Sequence, residues 1–202
     1  MSDWWTYRLG DFLMFSPATY ARLVEQYQRD VWPAQLIGLA AGLASLWLAR
    51  SRHAHALRLQ ALLLASAFLW VAWAFHWQRY ASINWAATYL ALAFAVQAAL
   101  LLSLVLAGRS ETPAERKWTL RTGCVLALAG VVAFPLAGLL MGRSWSQIEV
   151  FGVSPEPTAL AGIGLLLARP GWFGRSWHGA LLVVPVLSLV IGAATRLALA
   201  DS

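Results

Sequence analysis

Charge is scarce in this chain. Only 12% of its residues are Asp, Glu, Lys or Arg, and 60% are hydrophobic; a soluble domain carries about 25% charged residues. So few charges cannot cover a globular surface, and a lipid-facing surface is the natural resolution. Cysteine is nearly absent. A lone Cys124 excludes an internal disulfide, and one thiol makes no metal set. The opening "MSDWWTYRLGDF" has no basic n-region, so it does not read as a secretory signal peptide. No Ser/His/Asp set, G-x-S-x-G or phosphate loop occurs. The net charge of +6 raises the question of nucleic acid, but the arginines sit at the ends of apolar runs rather than in a stripe. No RNA- or DNA-reading motif accompanies them, so nucleic acid is not an expected partner.

What is abundant is apolar sequence. The segments Val31–Ala49, Ala56–Phe75, Trp85–Ala107, Trp118–Met141, Pro155–Ala168 and Gly179–Ala198 read as six crossings, the fifth of them short. A crossing helix needs about 20 apolar residues for a hydrocarbon core of about 30 Å, and lipid leaves no backbone polar group unpaired, so these are helices. The expected fold is an all-α polytopic membrane helix bundle. Residues 1–30 form an N-terminal interfacial segment and 31–202 the transmembrane domain.

Lys and Arg in the short loops set the direction. With six crossings, nine basic residues fall on one side (around Arg50, Arg109, Lys117 and Arg169) and six on the other. The richer side is then cytoplasmic and both termini lie outside. Tryptophans mark the same borders: Trp32, Trp77, Trp85 and Trp145 on the outer side, Trp47, Trp118, Trp172 and Trp177 on the inner one. Trp70 and Trp73 lie deeper and read as packing anchors.

Local signals sharpen several helices. "TPAE" at Thr112–Glu115 is a capping box with Pro at the first helical position. "SPATY" at Ser16–Tyr20 starts a helix the same way. Its Tyr20, Leu23, Val24 and Tyr27 share one face, which lies either on lipid at the outer interface or over the bundle as a lid. Gly38/Gly42, Gly138/Gly142 and Thr158/Gly162 are small-residue pairs that let helices approach closely. Pro135 and Pro185 should kink or locally open their helices.

Polar residues concentrate at the outer edge. At depth, Gln97 stands nearly alone and reads first as an interhelical hydrogen bond. "FHWQRYASINW" supplies His76, Arg79, Tyr80 and Asn84; "GRSWSQIEVFGVSPEPT" supplies Arg143, Glu149, Glu156 and Thr158. His76 is separated from His53, His55 and His178 by the bilayer, so neither metal nor cofactor is expected. A helix from Pro155 to about Arg169 covers about 22 Å, short of about 30 Å. Its start is therefore recessed, where irregular backbone survives only inside protein or beside a water-filled cavity. The residues suit burial. Pro155 and Pro157 have no N–H to orphan, Ser154 can cap the N–H of Glu156, and Glu156 meets the positive end of the helix. A buried carboxylate needs a partner, and Arg79, Arg143 or His76 is expected to supply it. The candidate substrate-binding set is thus His76, Arg79, Tyr80, Asn84, Arg143, Glu149, Glu156 and Thr158, with Gln97 deeper.

The stretches "DFLMFSP" (Asp11–Pro17), "FHWQRY" (Phe75–Tyr80), "INWAA" (Ile83–Ala87) and "VFGVSPEPTALAGIGLLL" (Val150–Leu167) carry a resemblance. The chain is similar to an uncharacterised family of bacterial multi-pass membrane proteins, one of the domain-of-unknown-function families. An acidic-Pro-Thr motif and a His-Trp-Gln-Arg-Tyr turn mark that family and match at Glu156–Thr158 and His76–Tyr80. The resemblance implies a bacterial inner-membrane location and no activity.

These readings point to a small-solute or ion transporter, or a channel component, with an outward-facing polar pocket. A membrane-embedded enzyme acting on a lipid or quinone, with His76 or Glu156 as acid/base, is the alternative. An accessory subunit, or a homo-oligomer, would use small-residue faces to bind a membrane partner. A polar path past Gln97 would favour transport, a lipid-facing groove the enzyme, a missing pocket the accessory role.

Overall fold

The computed structural model describes residues 15–51, 53–106, 117–168 and 175–200. Among them there are helices and turns and no strand. In chain order these are α1 (Pro17–Asp30), α2 (Ala34–Leu48), α3 (Ala54–Trp70), α4 (Ala87–Leu106), α5 (Lys117–Leu128), α6 (Phe134–Leu140), α7 (Pro155–Ala168) and α8 (Arg175–Ala200). A π-helical stretch, Val71–Trp77, prolongs α3, and another, Ala129–Ala133, joins α5 to α6.

Four continuous stretches are long and apolar enough to cross a membrane: His55–Ser82, Ala87–Leu106, Lys117–Leu140 and Trp177–Ala200. The pair α1 and α2, bent by 84°, makes a fifth if counted as one. The first expected crossing, Val31–Ala49, is in fact a helix of only 15 residues beyond that bend. The short α7 has 14 residues, about 21 Å at about 1.5 Å each. Around the bundle many large apolar side chains are exposed, Trp32, Trp47, Trp77, Trp85, Trp118, Trp145 and Trp177 among them. Trp172 lies outside the described residues, as does the "TPAE" box. Trp73 is no packing anchor: it is 56% exposed. Trp70 is partly so, and its indole N–H donates to the Tyr27 hydroxyl at 3.2 Å.

Ser16 caps α1, accepting from the Thr19 N–H at 3.2 Å, with Pro17 in the first turn. The apolar face of α1 finds protein as its partner. Tyr27 and Gln28 are fully enclosed, and Tyr20, Leu23 and Val24 pack against the core. Of the two places open to α1, the lipid interface or a lid over the bundle, its buried face and its bonds to Val153 and Ser154 fit the lid.

Inside, α7 is the hub. Its neighbours are α5, the Ala129–Ala133 stretch and α8, and nearly every one of its residues is buried. The contact with α5 is backbone on backbone. A Cβ added at Gly164 would stand 2.2 Å from the Ala127 nitrogen, one at Gly123 2.4 Å from that of Ala168, and one at Gly130 2.5 Å from that of Ala161. Where lipid removes the hydrophobic drive between helices, such closeness supplies the association energy through dispersion. The expected pairs fare unequally. Gly38 and Gly42 do admit close neighbours, Phe151 and Val131. Gly162 accepts the Phe68 ring, whereas Gly138 and Gly142 meet no close backbone.

The prolines are answered in two ways. Pro185 has no N–H for the Leu181 carbonyl one turn back, and Gln97 of α4 donates its Nε2–H to that carbonyl at 2.8 Å. The interhelical bond expected of Gln97 is therefore a repair of α8. Pro135 follows the π-helical stretch, whose looser ladder absorbs the missing donor. Gln97→Leu is expected to cost about 1 kcal/mol, and less in a Pro185→Ala background, where the chain restores its own donor. A double-mutant cycle on detergent unfolding reads the difference; equal costs in both backgrounds contradict the repair.

Candidate functional site

After α6 the chain turns back into the bundle. Arg143 to Trp145 are exposed, Ile148, Glu149 and Val150 are buried, and Phe151 is fully enclosed. Gly152 makes the reversal at φ +77, a left-handed conformation that only glycine adopts freely. Against it, α2 offers the bare Gly38, where any Cβ would stand 2.2 Å from the Phe151 carbonyl oxygen.

The recessed backbone is answered group by group. The Tyr27 hydroxyl donates to the Val153 carbonyl at 2.9 Å. The Thr158 hydroxyl accepts from the Gly152 N–H at 2.8 Å and donates to the Ser154 carbonyl at 2.6 Å. What the Ser154 hydroxyl meets is the amide of Gln28, at 2.7 Å. Gln28 is held in turn by Gln35, whose Nε2 donates to the Gln28 carbonyl at 2.5 Å and to its Oε1 at 3.1 Å. The lid thus supplies the side chains that make a buried helix start tolerable. Thr158 belongs to this scaffold.

The charges gather just above. Glu149 is buried and accepts from Arg143 Nη1 at 3.0 Å and from Arg196 Nη2 at 2.9 Å. The same Arg196 nitrogen lies 3.6 Å from Glu156 Oε1. Of the three partners expected for Glu156, Arg143 goes to Glu149 and Arg79 to Asp30 at 2.5 Å. The cation is Arg196, a residue the sequence presents only as one more flanking arginine. Its signal is indirect: two recessed carboxylates demand two cations, and the antiparallel course of α7 and α8 returns Arg196 to this level. Glu156 also lies against the bare Gly192 of α8, where a Cβ would stand 2.9 Å from its Oε1 and 3.0 Å from its Cγ.

Two spaces adjoin this cluster. The outer one is a vestibule of about 360 Å³, lined by Arg143, Gln147, Glu149 and Arg196 and by Pro17, Tyr20, Ala21, Val24, Glu25 and Leu199; the Glu25 carboxylate is paired with Arg29. The inner one is a chamber of about 20 Å³ between the π-helical stretch and α8, lined by His76, Tyr80, Glu156, Ser188 and Thr195. Tyr20 lines both. His76 is 3% exposed, and neither of its ring nitrogens has a hydrogen-bond partner. The Tyr80 hydroxyl accepts from Asn84 Nδ2 at 3.2 Å, and Asn84 Oδ1 accepts from the Ala86 N–H at the start of α4.

The structure therefore brings together His76, Tyr80, Arg143, Glu149 and Glu156 from the expected set. Asn84 and Thr158 support them. Arg79 is engaged with α1, and Gln97 is spent on α8. Tyr20, Ser188, Gly192, Thr195 and Arg196 join from outside the expectation. Among the described residues no group of three His, Cys, Asp or Glu side chains could hold a metal ion.

Neither the curated proteins nor the solved structures contain a match to this chain. A protein-family comparison does: residues 18–200 match the family of unknown function DUF6064. That range takes in all the described helices but for Pro17 at the start of α1, and the chain belongs to this family.

Proposed function

We propose that this chain is a bacterial inner-membrane protein that binds a small acidic solute in the vestibule, as a transporter or channel component does. The carrying observation is the pair of half-exposed guanidiniums, Arg143 and Arg196, converging on one buried carboxylate beneath a space of about 360 Å³. Each guanidinium has five N–H donors in a fixed fork, and Glu149 occupies only part of them. The remaining donors are matched by carboxylate or phosphate oxygens. The helix start contributes few donors because of its prolines, so the arginines carry recognition. The finer topology belongs to the same reading: six passes, with α2 and α7 as the short ones and both termini periplasmic. The lysine and arginine bias supports it.

A second source of the same chemistry is a lipid headgroup. The apolar rim of Pro17, Ala21 and Leu199 beside the arginines suits an anionic lipid, and it favours the enzyme reading over the accessory-subunit one. Thermal stabilisation of the purified protein in neutral-lipid nanodiscs separates the sources, with inorganic phosphate and simple carboxylates in one arm and phosphatidylglycerol in the other. One arm is expected to stabilise the protein, and Arg143→Ala to weaken that binding about tenfold, the worth of about 1.4 kcal/mol. No stabilisation by either class, or an unchanged affinity in Arg143→Ala, contradicts the proposal.

A further inference from the structure

The inner chamber poses a separate question. His76 is as deeply enclosed as the core phenylalanines, yet its Nδ1 and Nε2 have no protein partner. A neutral imidazole carries one N–H donor and one lone pair, and native structures seldom bury either unsatisfied. The ring's near neighbours are other rings, Phe75, Phe94 and Tyr80, at 5.3, 4.8 and 6.2 Å between centroids. The chamber that His76 lines has room for about one water by volume. A buried water needs two to four polar partners, and the same wall carries Tyr80, Glu156, Ser188 and Thr195.

We propose that this chamber is a proton-binding site: one buried water bridges His76 and Glu156, accepting a hydrogen bond from the protonated Glu156 carboxyl and donating one to the unprotonated ring nitrogen of His76. The groups that face the pair come from every adjoining element. Arg196 of α8 and Glu149 of the inward loop lie beside Glu156; Tyr20 of α1 and Tyr80 border the chamber. Glu156 thus has one cation, Arg196, and one further carboxyl group, Glu149, as its charged neighbours. Gly192, on the same wall, leaves bare the space on α8 that the Glu156 side chain occupies. The chamber is a separate space from the vestibule, with Tyr20 on the wall of both and Arg196 of the vestibule beside Glu156.

Infrared difference spectroscopy of the full chain in nanodiscs tests this without any solute. In wild type, a protonated-carboxyl band that vanishes in Glu156→Gln is expected to titrate with pH. A buried-water O–H band that shifts in H₂¹⁸O is expected beside it. Ser188→Leu fills the chamber without removing either titrating group, and is expected to abolish the water band and move the carboxyl midpoint by about one pH unit, a tenfold change in proton affinity. His76→Phe should do the same. Should His76→Phe not fold, Ser188→Leu and the isotope shift in wild type decide alone. Absence of an isotope-sensitive water band in wild type, or an unmoved carboxyl midpoint in the folded variants, overturns the proposal.

Discussion

Gly164→Ala is expected to destabilise the bundle by about 3 kcal/mol or more, although it adds a single methyl group. The new Cβ would stand 2.2 Å from the Ala127 nitrogen and 2.6 Å from the Gly123 carbonyl oxygen. Both are backbone atoms of a neighbouring helix, so no side chain can swing aside, and α5 and α7 must separate along their length. Gly162→Ala, two residues earlier, is the internal control. Its nearest neighbours are the Phe68 ring carbons at 3.2 Å, which can yield by a few tenths of an ångström. Alanine's helix propensity gains about 1 kcal/mol over glycine, so the net effect there should fall within about 1 kcal/mol of zero. Detergent-unfolding midpoints of the two variants check the contrast. Equal effects would mean that the α5–α7 contact is looser than described.

Arg196→Met removes the cation shared by two carboxylates. Breaking a fully buried pair costs about 3–5 kcal/mol. The Arg196 side chain is 39% exposed, so solvent screens part of the loss and about 2–3 kcal/mol is expected. Adding Glu156→Gln should recover most of it, since Arg143 still serves Glu149 at 3.0 Å. Arg196 also lies 5.7 Å from the Phe134 ring centroid. If that packing were its main contribution, Glu156→Gln would recover nothing. The sign and size of the coupling in the cycle separate the two.

Much of this arrangement was legible in the residues. Ser154 to Thr158 read as a helix start chosen for burial because proline removes orphan donors, and the start is buried. Gln97 read as an interhelical bond. The Ser16 cap and the apolar face of α1 were equally plain, though periodicity cannot tell lipid from protein as the apolar partner. Three things were hidden. The α5–α7 contact mixes glycine with alanine, Gly123 with Ala127 and Gly164 with Ala168, so counting glycine pairs passed over it. The π-helical stretch at Val71–Trp77 shifts the register ahead of His76; an added residue turns the following side chains by about 100°, which regular helical spacing does not foresee. Arg196 lies 40 residues beyond Glu156 by number, and only the antiparallel return of α8 brings them together.

Residues 143–154 descend into the protein, and cysteine reactivity measures that descent directly. With Cys124→Ala as background, Ser146→Cys and Ser154→Cys change one atom each. Ser146 is half-buried in the loop that follows α6, next to Gln147 of the vestibule, whereas Ser154 is 1% exposed and bonded to Gln28. In intact membranes a membrane-impermeant maleimide should modify Ser146→Cys readily. It should modify Ser154→Cys on the order of 100-fold more slowly, because only locally opened molecules react. Comparable rates at the two positions would place the start of α7 at the surface and contradict the recessed site.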